Sequence, residues 1–310
     1  MKTPVALIIF NRPTPPQKVF DAIRQARPAK LFVIADGPRA NRPGEAENCA
    51  AARKIVEQVD WNCEVFKDYA DQNMGCGRRP ASGIDWVFEN VEEAIFLEDD
   101  CLPHPLFFEF CDQLLEKYRN DQRVMMVSGT NLLKEWKSDL QSYHFSHYTT
   151  VWGWASWRRA WQHYDFSMKT WTNPEAQQRV RDVLCNDGLF LSRKKAYDAV
   201  FSSGKTDAWD HQWSFARFLN SGASIVPSVN LISNIGFDAE ATHTVSVQDP
   251  RSELETFPLS FPLKAPVGLA PDQAYADQCY RKVEDHRFTT RVKRKLSKII
   301  RSSLQQPTKP

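Results

Sequence analysis

The first half of the chain alternates short apolar runs with amphipathic segments, a pattern typical of βαβ units and a parallel sheet. Runs such as Val5–Phe10 are apolar at every position, which suits strands that are buried on both faces. The predicted strands of this half are Val5–Phe10, Leu31–Ala35, Cys63–Phe66, Ala94–Leu97 and Val124–Val127.

Apolar residues at helical spacing fill the intervals between these strands. Thr14 is placed to cap the first helix, whereas Asn73–Gly77 is predicted to break the chain before Ser82 starts another. The predicted helices are Pro15–Gln25, Asn41–Glu57, Ser82–Phe88 and Phe107–Tyr118. The sequence therefore predicts an α/β fold with a mostly parallel central sheet flanked by helices.

The second half is less regular, with aromatic loops and two or three helices up to about Phe218 and late strands at Ile225–Pro227 and Leu231–Ile235. A Pro-rich stretch of low periodicity follows. We expect a main domain over residues 1–248, with halves at 1–128 and 129–248, then a linker or extension at 249–280 and a tail at 281–310.

Charge and cysteine usage narrow the class of protein. The chain has 310 residues and a net charge of +2, but residues 281–301 carry nine basic and two acidic side chains. The rest is mildly acidic, which argues against nucleic-acid binding by the main domain. Seven cysteines without a Cys-x-x-Cys pair indicate reduced thiols, and the apolar run Val5–Phe10 is too short for a signal peptide or a membrane span. We therefore expect a cytoplasmic protein.

The most specific chemical signal is the acidic triplet Glu98-Asp99-Asp100, which directly follows a predicted buried strand. Open parallel sheets bind ligands beyond the carboxyl ends of their strands. Three acids at that place repel one another unless a cation is present, and carboxylates together with phosphates suit Mn²⁺ or Mg²⁺. The alternative is a solvated acidic turn.

Further segments complete an ordered set with the triplet: Asn73-Met74-Gly75-Cys76, Trp152-Gly153-Trp154 and Trp209-Asp210-His211-Gln212-Trp213. In this order the chain resembles GT-A fold glycosyltransferases over roughly residues 4–245. It looks similar to a bacterial family of sugar transferases, family-2-like and sometimes labelled hemolytic-protein-like. A more distant likeness is to the eukaryotic N-acetylglucosaminyltransferase of complex N-glycan synthesis, which has a Trp-Asp-Asp-Trp element. The resemblance implies a GT-A (Rossmann-like) fold and a nucleotide-diphosphate sugar as donor.

By this resemblance Asp100 binds the metal ion directly, while Asp99 and Glu98 face the ribose and the sugar of the donor. Asn11 and Arg12 follow the first strand, where the family contacts the nucleotide; a core-capping turn is the alternative.

Three more residues are donor candidates. Asp36 resembles the acid that recognises the base or ribose, although it also suits a turn before Gly37. Arg78 and Arg79 could pair with phosphate or solvate the start of a helix.

Asp210 matches the first acid of the Trp-Asp-Asp-Trp element, and we expect it to act as the general base of an inverting transfer. His211 stands where the resembled enzyme has its second acid, so whether it assists or shares the role is open. The alternative for Asp210 is a helix cap.

The residues predicted to bind the acceptor and to be the second metal ligand are supported by weaker sequence signals. Indole rings stack on sugar C–H faces, so Trp152, Trp154 and Trp209 are acceptor candidates, while Trp157 and Trp161 are expected in the core. His243 lies in a polar loop where GT-A enzymes often close on the diphosphate, which makes it the second metal candidate; a solvated surface histidine is the alternative.

Each of three rival functions disagrees with the sequence in one feature. A sugar-nucleotide nucleotidyltransferase needs a Gly-rich basic loop after the first strand, where this chain has Asn11–Pro16. A non-catalytic carbohydrate-binding module has no need of both the triplet and Asp210, and a phosphohydrolase needs more ligands than 7 His provide. The expected acceptor is a glycan or glycolipid of bacterial surface-glycan synthesis. The basic amphipathic tail could contact an anionic membrane peripherally, or it could be a solvated or docked helix.

Overall fold

The computed structural model describes residues 1–12, 14–203, 208–236, 251–252 and 254–284. Its strands are β1 (Val5–Ile9), β2 (Lys30–Ala35), β3 (Glu64–Tyr69), β4 (Glu93–Glu98), β5 (Cys101–Pro103), β6 (Val124–Ser128), β7 (Tyr143–Ser146), β8 (Trp154–Trp157), β9 (Ala223–Pro227) and β10 (Ile232–Asn234). Its α-helices are α1 (Thr14–Ala26), α2 (Glu45–Lys54), α3 (Gly75–Asn90), α4 (Leu106–Tyr118), α5 (Arg158–Trp161), α6 (Pro174–Leu184), α7 (Asp187–Ser203), α8 (Asp210–Leu219) and α9 (Gln273–Cys279).

Eight of these strands form one mixed sheet in the order β3-β2-β1-β4-β8-β6-β9-β7. Strands β8 and β7 run antiparallel to their neighbours, and the other six share one direction. A separate antiparallel pair joins β5 to β10. The predicted α/β class with a mostly parallel central sheet is confirmed. Among the described helices, none has both the length and the apolar character that crossing a bilayer requires.

The continuous apolar runs are buried because helices cover both faces of the sheet. In β1, Val5, Leu7 and Ile9 pack in the layer of α1 and α4, whereas Ala6 and Ile8 pack in the layer of α3. A further apolar cluster lies between α6, α7, α8 and α9. Burial on both faces is what a parallel sheet between two helical layers requires, and it leaves the strand ends as the place for polar chemistry.

Strand register brings the predicted site residues to one edge of the sheet. Ile9 pairs with Ala35, and Ile8 pairs with Glu98, so the residues that follow β1, β2 and β4 emerge side by side. The chain runs from β1 outward to β2 and β3 and then returns to the other side of β1 as β4. The gap between β1 and β4 is therefore a topological switch point, the usual ligand crevice of an open α/β sheet.

Helix α3 begins at Gly75, seven residues before the predicted start at Ser82. The predicted break at Asn73–Gly77 therefore ends earlier than expected, because Gly75 to Gly77 already belong to the helix. The carboxylate of Asp36 accepts hydrogen bonds from the backbone N–H groups of Met74 (2.8 Å) and Gly75 (3.0 Å). Gly75 has φ of 83°, a left-handed conformation that glycine adopts without strain. The helix is thus capped from β2, a long-range contact that no local pattern reveals.

The irregular second half extends the sheet. Strand β8 inserts antiparallel between β4 and β6, and the late predicted strands Ile225–Pro227 and Leu231–Ile235 correspond to β9 and β10. Residues 254–284, which include most of the described part of the predicted linker, pack on this body with Leu259, Tyr275 and Cys279 buried. All seven cysteines are free thiols, as expected.

Candidate active site

The acidic triplet and the arginine after β1 meet at the switch point. One Nη2 nitrogen of Arg12 donates to Oδ1 of Asp99 at 3.1 Å and to Oδ2 of Asp100 at 3.2 Å. The three side chains are only 18%, 11% and 14% exposed, respectively. Two groups that sequence reasoning assigned to a single nucleotide site therefore lie in direct contact.

The triplet concentrates negative charge in a poorly solvated place. Burial raises the pKa of Glu98 to about 8, and the charges of Asp100, Asp99 and Asp210 act in the same direction. Burial also raises the pKa of Asp99 to about 7, with Asp100 adding to the effect and Arg12 opposing it. One guanidinium does not neutralise this cluster, so a divalent cation would relieve the repulsion that remains.

The described residues contain no group of three or more His, Cys, Asp or Glu side chains that could cage a metal ion by themselves. A divalent cation at the triplet would therefore need further ligands from phosphate oxygens or water. Mg²⁺ and Mn²⁺ suit such a set, because Mg²⁺ usually keeps several waters and binds through one or two carboxylates and substrate phosphates. The donor set fits a cation that is completed by a diphosphate.

Asp100 is also the contact point of the segment after β10. Its backbone oxygen accepts from the N–H of Ile235 at 2.8 Å, and a Cβ atom on Gly236 would lie 2.1 Å from its Oδ2. Only glycine fits this close approach. His243, the second metal candidate, follows in the sequence but lies outside the described residues.

Helix α8 brings Asp210 close to the triplet. This residue is the first of α8, and its charge is one of those that raise the pKa of Glu98. Its neighbour Trp209 donates from Nε1 to Oε1 of Glu98 at 3.3 Å. Asp210 itself makes no side-chain hydrogen bond to any described residue, and with His211 it lines a small cavity. The start of α8 thus lies against the triplet, and the Asp210 carboxylate lies close enough to Glu98 to raise its pKa.

The tryptophans divide between the core and the site, and Trp154 is a correction. It is 1% exposed, and its ring stacks on Phe96 at 4.6 Å and on Trp209 at 5.5 Å. Because its ring is buried among other aromatic rings, it has no face exposed to an acceptor sugar. Trp209 is 4% exposed, and its indole N–H is hydrogen-bonded to Glu98. Trp152 is half-buried and remains the acceptor candidate, and the core prediction for Trp157 and Trp161 is confirmed.

This division predicts opposite effects for two neighbouring tryptophans. Trp154→Ala should lower the free energy of unfolding by about 3–5 kcal/mol, since it removes a buried aromatic ring from a packed core. Trp152→Ala should cost clearly less stability and act mainly on the affinity for acceptor. Urea unfolding followed by circular dichroism measures the first quantity. A stable Trp154→Ala variant would show that this residue is not a core residue.

Asp36 and Arg79 were both predicted to contact the nucleotide, but their polar atoms bond other residues of the chain. Each carboxylate oxygen of Asp36 accepts two hydrogen bonds, from backbone N–H groups and from Asn73. Arg79 is 4% exposed and donates to the backbone oxygens of Ala35 and Asp68 as well as forming an ion pair with the Asp68 carboxylate at 2.6 Å. Their geometry assigns them to holding β2, β3 and α3 together. Arg79 in particular is not placed to bind phosphate.

The other two candidates on this side differ in their surroundings. Arg78 is exposed, with its guanidinium 5.0 Å from the ring centroid of Phe166, so it can reach an anionic ligand. Asn11 donates from Nδ2 to Oε1 of Glu45 at 3.0 Å. Asn11 is therefore a positioned amide at the end of β1.

Glu45 is a residue that sequence reasoning missed. It is 5% exposed, and it accepts hydrogen bonds from the backbone and guanidinium of Arg39 and from Asn11. Hydrogen bonding to Arg39 lowers the pKa of Glu45 to about 2, so it is charged at neutral pH. An acid in the first turn of an amphipathic helix gave no sign of this role, because its partners belong to other segments.

The raised pKa of Glu98 gives a pH-dependent prediction with a definite sign. An acid whose pKa rises from 4.5 to about 8 on folding destabilises the folded state increasingly as the pH rises through that window. Glu98→Gln should therefore stabilise the metal-free protein by about 2 kcal/mol near pH 9 and have little effect near pH 4.5. Urea unfolding at both pH values measures this difference. The exposed Glu109→Gln serves as control, and equal effects of Glu98→Gln at both pH values would contradict the prediction.

No protein-family model and no curated protein matches the chain. Among solved structures it is similar to S. aureus TarS 1–349, with 10% identity over 75% of this chain, 59% of that chain and a TM-score of 0.42. It is also similar to apo UDP-glucose pyrophosphorylase, with 9% identity over 74% of this chain and 93% of that chain and a TM-score of 0.36. A third similar structure is 4-diphosphocytidyl-2C-methyl-D-erythritol synthase from Anaerococcus prevotii, with 11% identity over 73% of this chain and 88% of that chain and a TM-score of 0.35. The chain thus spans less than two thirds of the TarS fragment. At such low identities and TM-scores, these likenesses carry no argument about activity.

Proposed function

We propose that the chain is a metal-dependent glycosyltransferase that moves a sugar from a nucleotide-diphosphate sugar to an acceptor hydroxyl with inversion. The observation that carries this proposal is that α8 begins against the acidic triplet, where Trp209, the residue before Asp210, donates a hydrogen bond to Glu98. The acidic triplet lies at the switch point, and the Asp210 carboxylate, which has no hydrogen-bond partner among the described residues, is close enough to raise the pKa of Glu98. A donor bound at the triplet would present its sugar to a base.

On the donor side, Asn11, Arg12 and the exposed Arg78 would contact the nucleotide and its phosphates, and Glu98 and Asp99 would face the ribose and sugar. Asp100 and His243 would hold Mn²⁺ or Mg²⁺, which supplies electrostatic stabilisation of the leaving diphosphate when it is bound. Arg12 now lies between Asp99 and Asp100. Neutralisation of these carboxylates would free its guanidinium to pair with the diphosphate.

On the acceptor side, Asp210 would take the proton of the attacking hydroxyl during in-line displacement. The adjacent His211 would orient the same hydroxyl or share the proton. Trp152 would offer an apolar face to the acceptor ring, while the buried Trp209 would hold Glu98 in place. A glycan or glycolipid acceptor fits such a surface, and the basic tail at 281–310 would keep the enzyme near an anionic membrane.

Incubation with UDP-, GDP- and dTDP-sugars and Mn²⁺ tests this function. Slow release of nucleoside diphosphate that requires the metal ion supports the transferase. Release of pyrophosphate from a nucleoside triphosphate and a sugar 1-phosphate would instead identify a nucleotidyltransferase. Binding of sugar without turnover of any donor would identify a carbohydrate-binding module.

A further inference from the structure

A cavity of about 40 Å³ lies beside Asp210. This space holds a small group and not a sugar ring, since ligand pockets are usually several hundred Å³. The cavity is formed by the segment between β7 and β8, the region of α6 and α7, and one face of α8. Its described lining residues that carry polar side chains are His147, Tyr148, Thr149, Thr150, Arg193, Asp210, His211, Ser214 and Arg217.

Arg217 is the unusual member of this set. It is 2% exposed, its Nη1 donates to the hydroxyl of Ser224 at 2.6 Å, and its Nε has no hydrogen-bond partner among the described residues. Among the described residues no carboxylate forms an ion pair with it. Burial lowers its pKa to about 10, and the nearby charge of Arg193 acts in the same direction. A buried cation without a counter-charge is costly, so an anion is missing from its surroundings.

The rest of the lining includes one carboxylate, that of Asp210, and two further donors, Arg193 and Thr150. Arg193 is paired with Glu284 at 2.6 Å, which leaves Arg217 without that carboxylate. The hydroxyl of Thr150 is buried and has no partner among the described residues. The Arg217 guanidinium and this hydroxyl can donate hydrogen bonds to an oxyanion, and both line the cavity.

Helix α8 fixes the distance between this place and the proposed base. Asp210, Ser214 and Arg217 are spaced at i, i+4 and i+7, which puts them on one face of the helix. Seven residues correspond to about 10 Å along a helix axis. A group bound at Arg217 would therefore lie well away from the hydroxyl that loses its proton at Asp210.

We propose that this cavity binds an oxyanion of the acceptor, so the acceptor is an acidic saccharide that carries a carboxylate or a phosphate. The proposal rests on the proposed function, because it takes Asp210 as the base. The acidic group enters the cavity and pairs with Arg217, while the sugar ring stays outside, near Asp210. A neutral saccharide would leave the buried guanidinium without a counter-charge and would bind more weakly.

Isothermal titration calorimetry of the full chain with three probes tests this inference: D-glucuronate, D-glucose 6-phosphate and D-glucose. At least one anion should bind tenfold or more tightly than glucose, and which one does so tells a carboxylate from a phosphate. Arg217→Gln should reduce this preference to less than twofold, whereas the exposed Arg123→Gln should preserve it. Equal binding of all three probes by the wild-type protein would overturn the proposal, as would an undiminished preference in folded Arg217→Gln.

Two measurements keep the outcome unambiguous. If Arg217→Gln does not fold, Thr150→Val removes an unpartnered cavity hydroxyl at nearly constant shape, and an unchanged anion preference in that variant would count against the subsite. Donor hydrolysis is measured on the same wild-type preparation. Metal-dependent hydrolysis without any anion preference refutes the acidic acceptor alone, whereas absence of hydrolysis with every donor refutes the proposed function.

Discussion

Asp210→Asn should slow sugar transfer by about a thousandfold while the affinity for donor stays within about twofold, because a positioned general base typically contributes 10²–10⁴ in rate. Asparagine keeps the shape of the side chain but cannot accept the proton of the acceptor hydroxyl. Asp210 has no described hydrogen-bond partner to lose, so the fold should be unaffected. The rate of nucleoside diphosphate release and the Kd for donor, measured on the same variant, separate the two effects.

A matched control exists in α7. Asp187 is also the first residue of a helix, but it is exposed and pairs with Arg181 at the surface. Asp187→Asn should leave both rate and affinity unchanged. Full transfer activity in Asp210→Asn would remove this residue as the base and would point to His211 instead.

Asp100→Ala should abolish the stabilisation that donor and Mn²⁺ give together. A ligand at a hundredfold its Kd stabilises the folded state by about 2.7 kcal/mol, which raises the Tm by several degrees. Without Asp100 the site loses its first metal ligand, and the diphosphate would meet the negative charges of Glu98 and Asp99 uncompensated. The Tm of the variant should therefore not respond to the mixture. A thermal unfolding series with donor alone, Mn²⁺ alone and both together measures this.

The exposed Asp139→Asn is the control for loss of a carboxylate elsewhere, and it should keep the full response. The ligand-free Asp100→Ala protein should remain folded, since the charge of Asp100 contributes to the raised pKa values of Glu98 and Asp99. A full Tm response in the absence of Asp100 would place the metal ion elsewhere.

The sequence predicted the parts of this site that depend on local pattern. Continuous apolar runs identified β1, β2 and β4, and parallel pairing then brought Arg12 to the acidic triplet. The carboxyl ends of neighbouring parallel strands lie at one edge of a sheet, so the sequence alone places residues at those ends near one another.

Residues whose role depends on distant partners could not be identified in this way. Arg79 is bound by groups from β2 and β3, and Glu45 is bound by Asn11 and by Arg39, which precedes α2. Trp154 beside Gly153 looked like a loop residue, but β8 inserts between β4 and β6 and buries it. Arg217 lacks an ion-pair partner among the described residues, and only its burial in the folded chain makes this unusual. Long-range packing, not residue type, decides each of these cases.

The central claim is that the acidic triplet holds a divalent cation together with a nucleoside diphosphate. Electron paramagnetic resonance of Mn²⁺ tests it most directly, because the signal of free Mn²⁺ reports how much metal is bound. We expect one Mn²⁺ bound per chain in the presence of UDP, GDP or dTDP, far weaker binding without nucleotide, and loss of this binding in Asp100→Ala. Nucleotide binding that is equally tight in EDTA, or Mn²⁺ binding that survives in Asp100→Ala, would contradict the account.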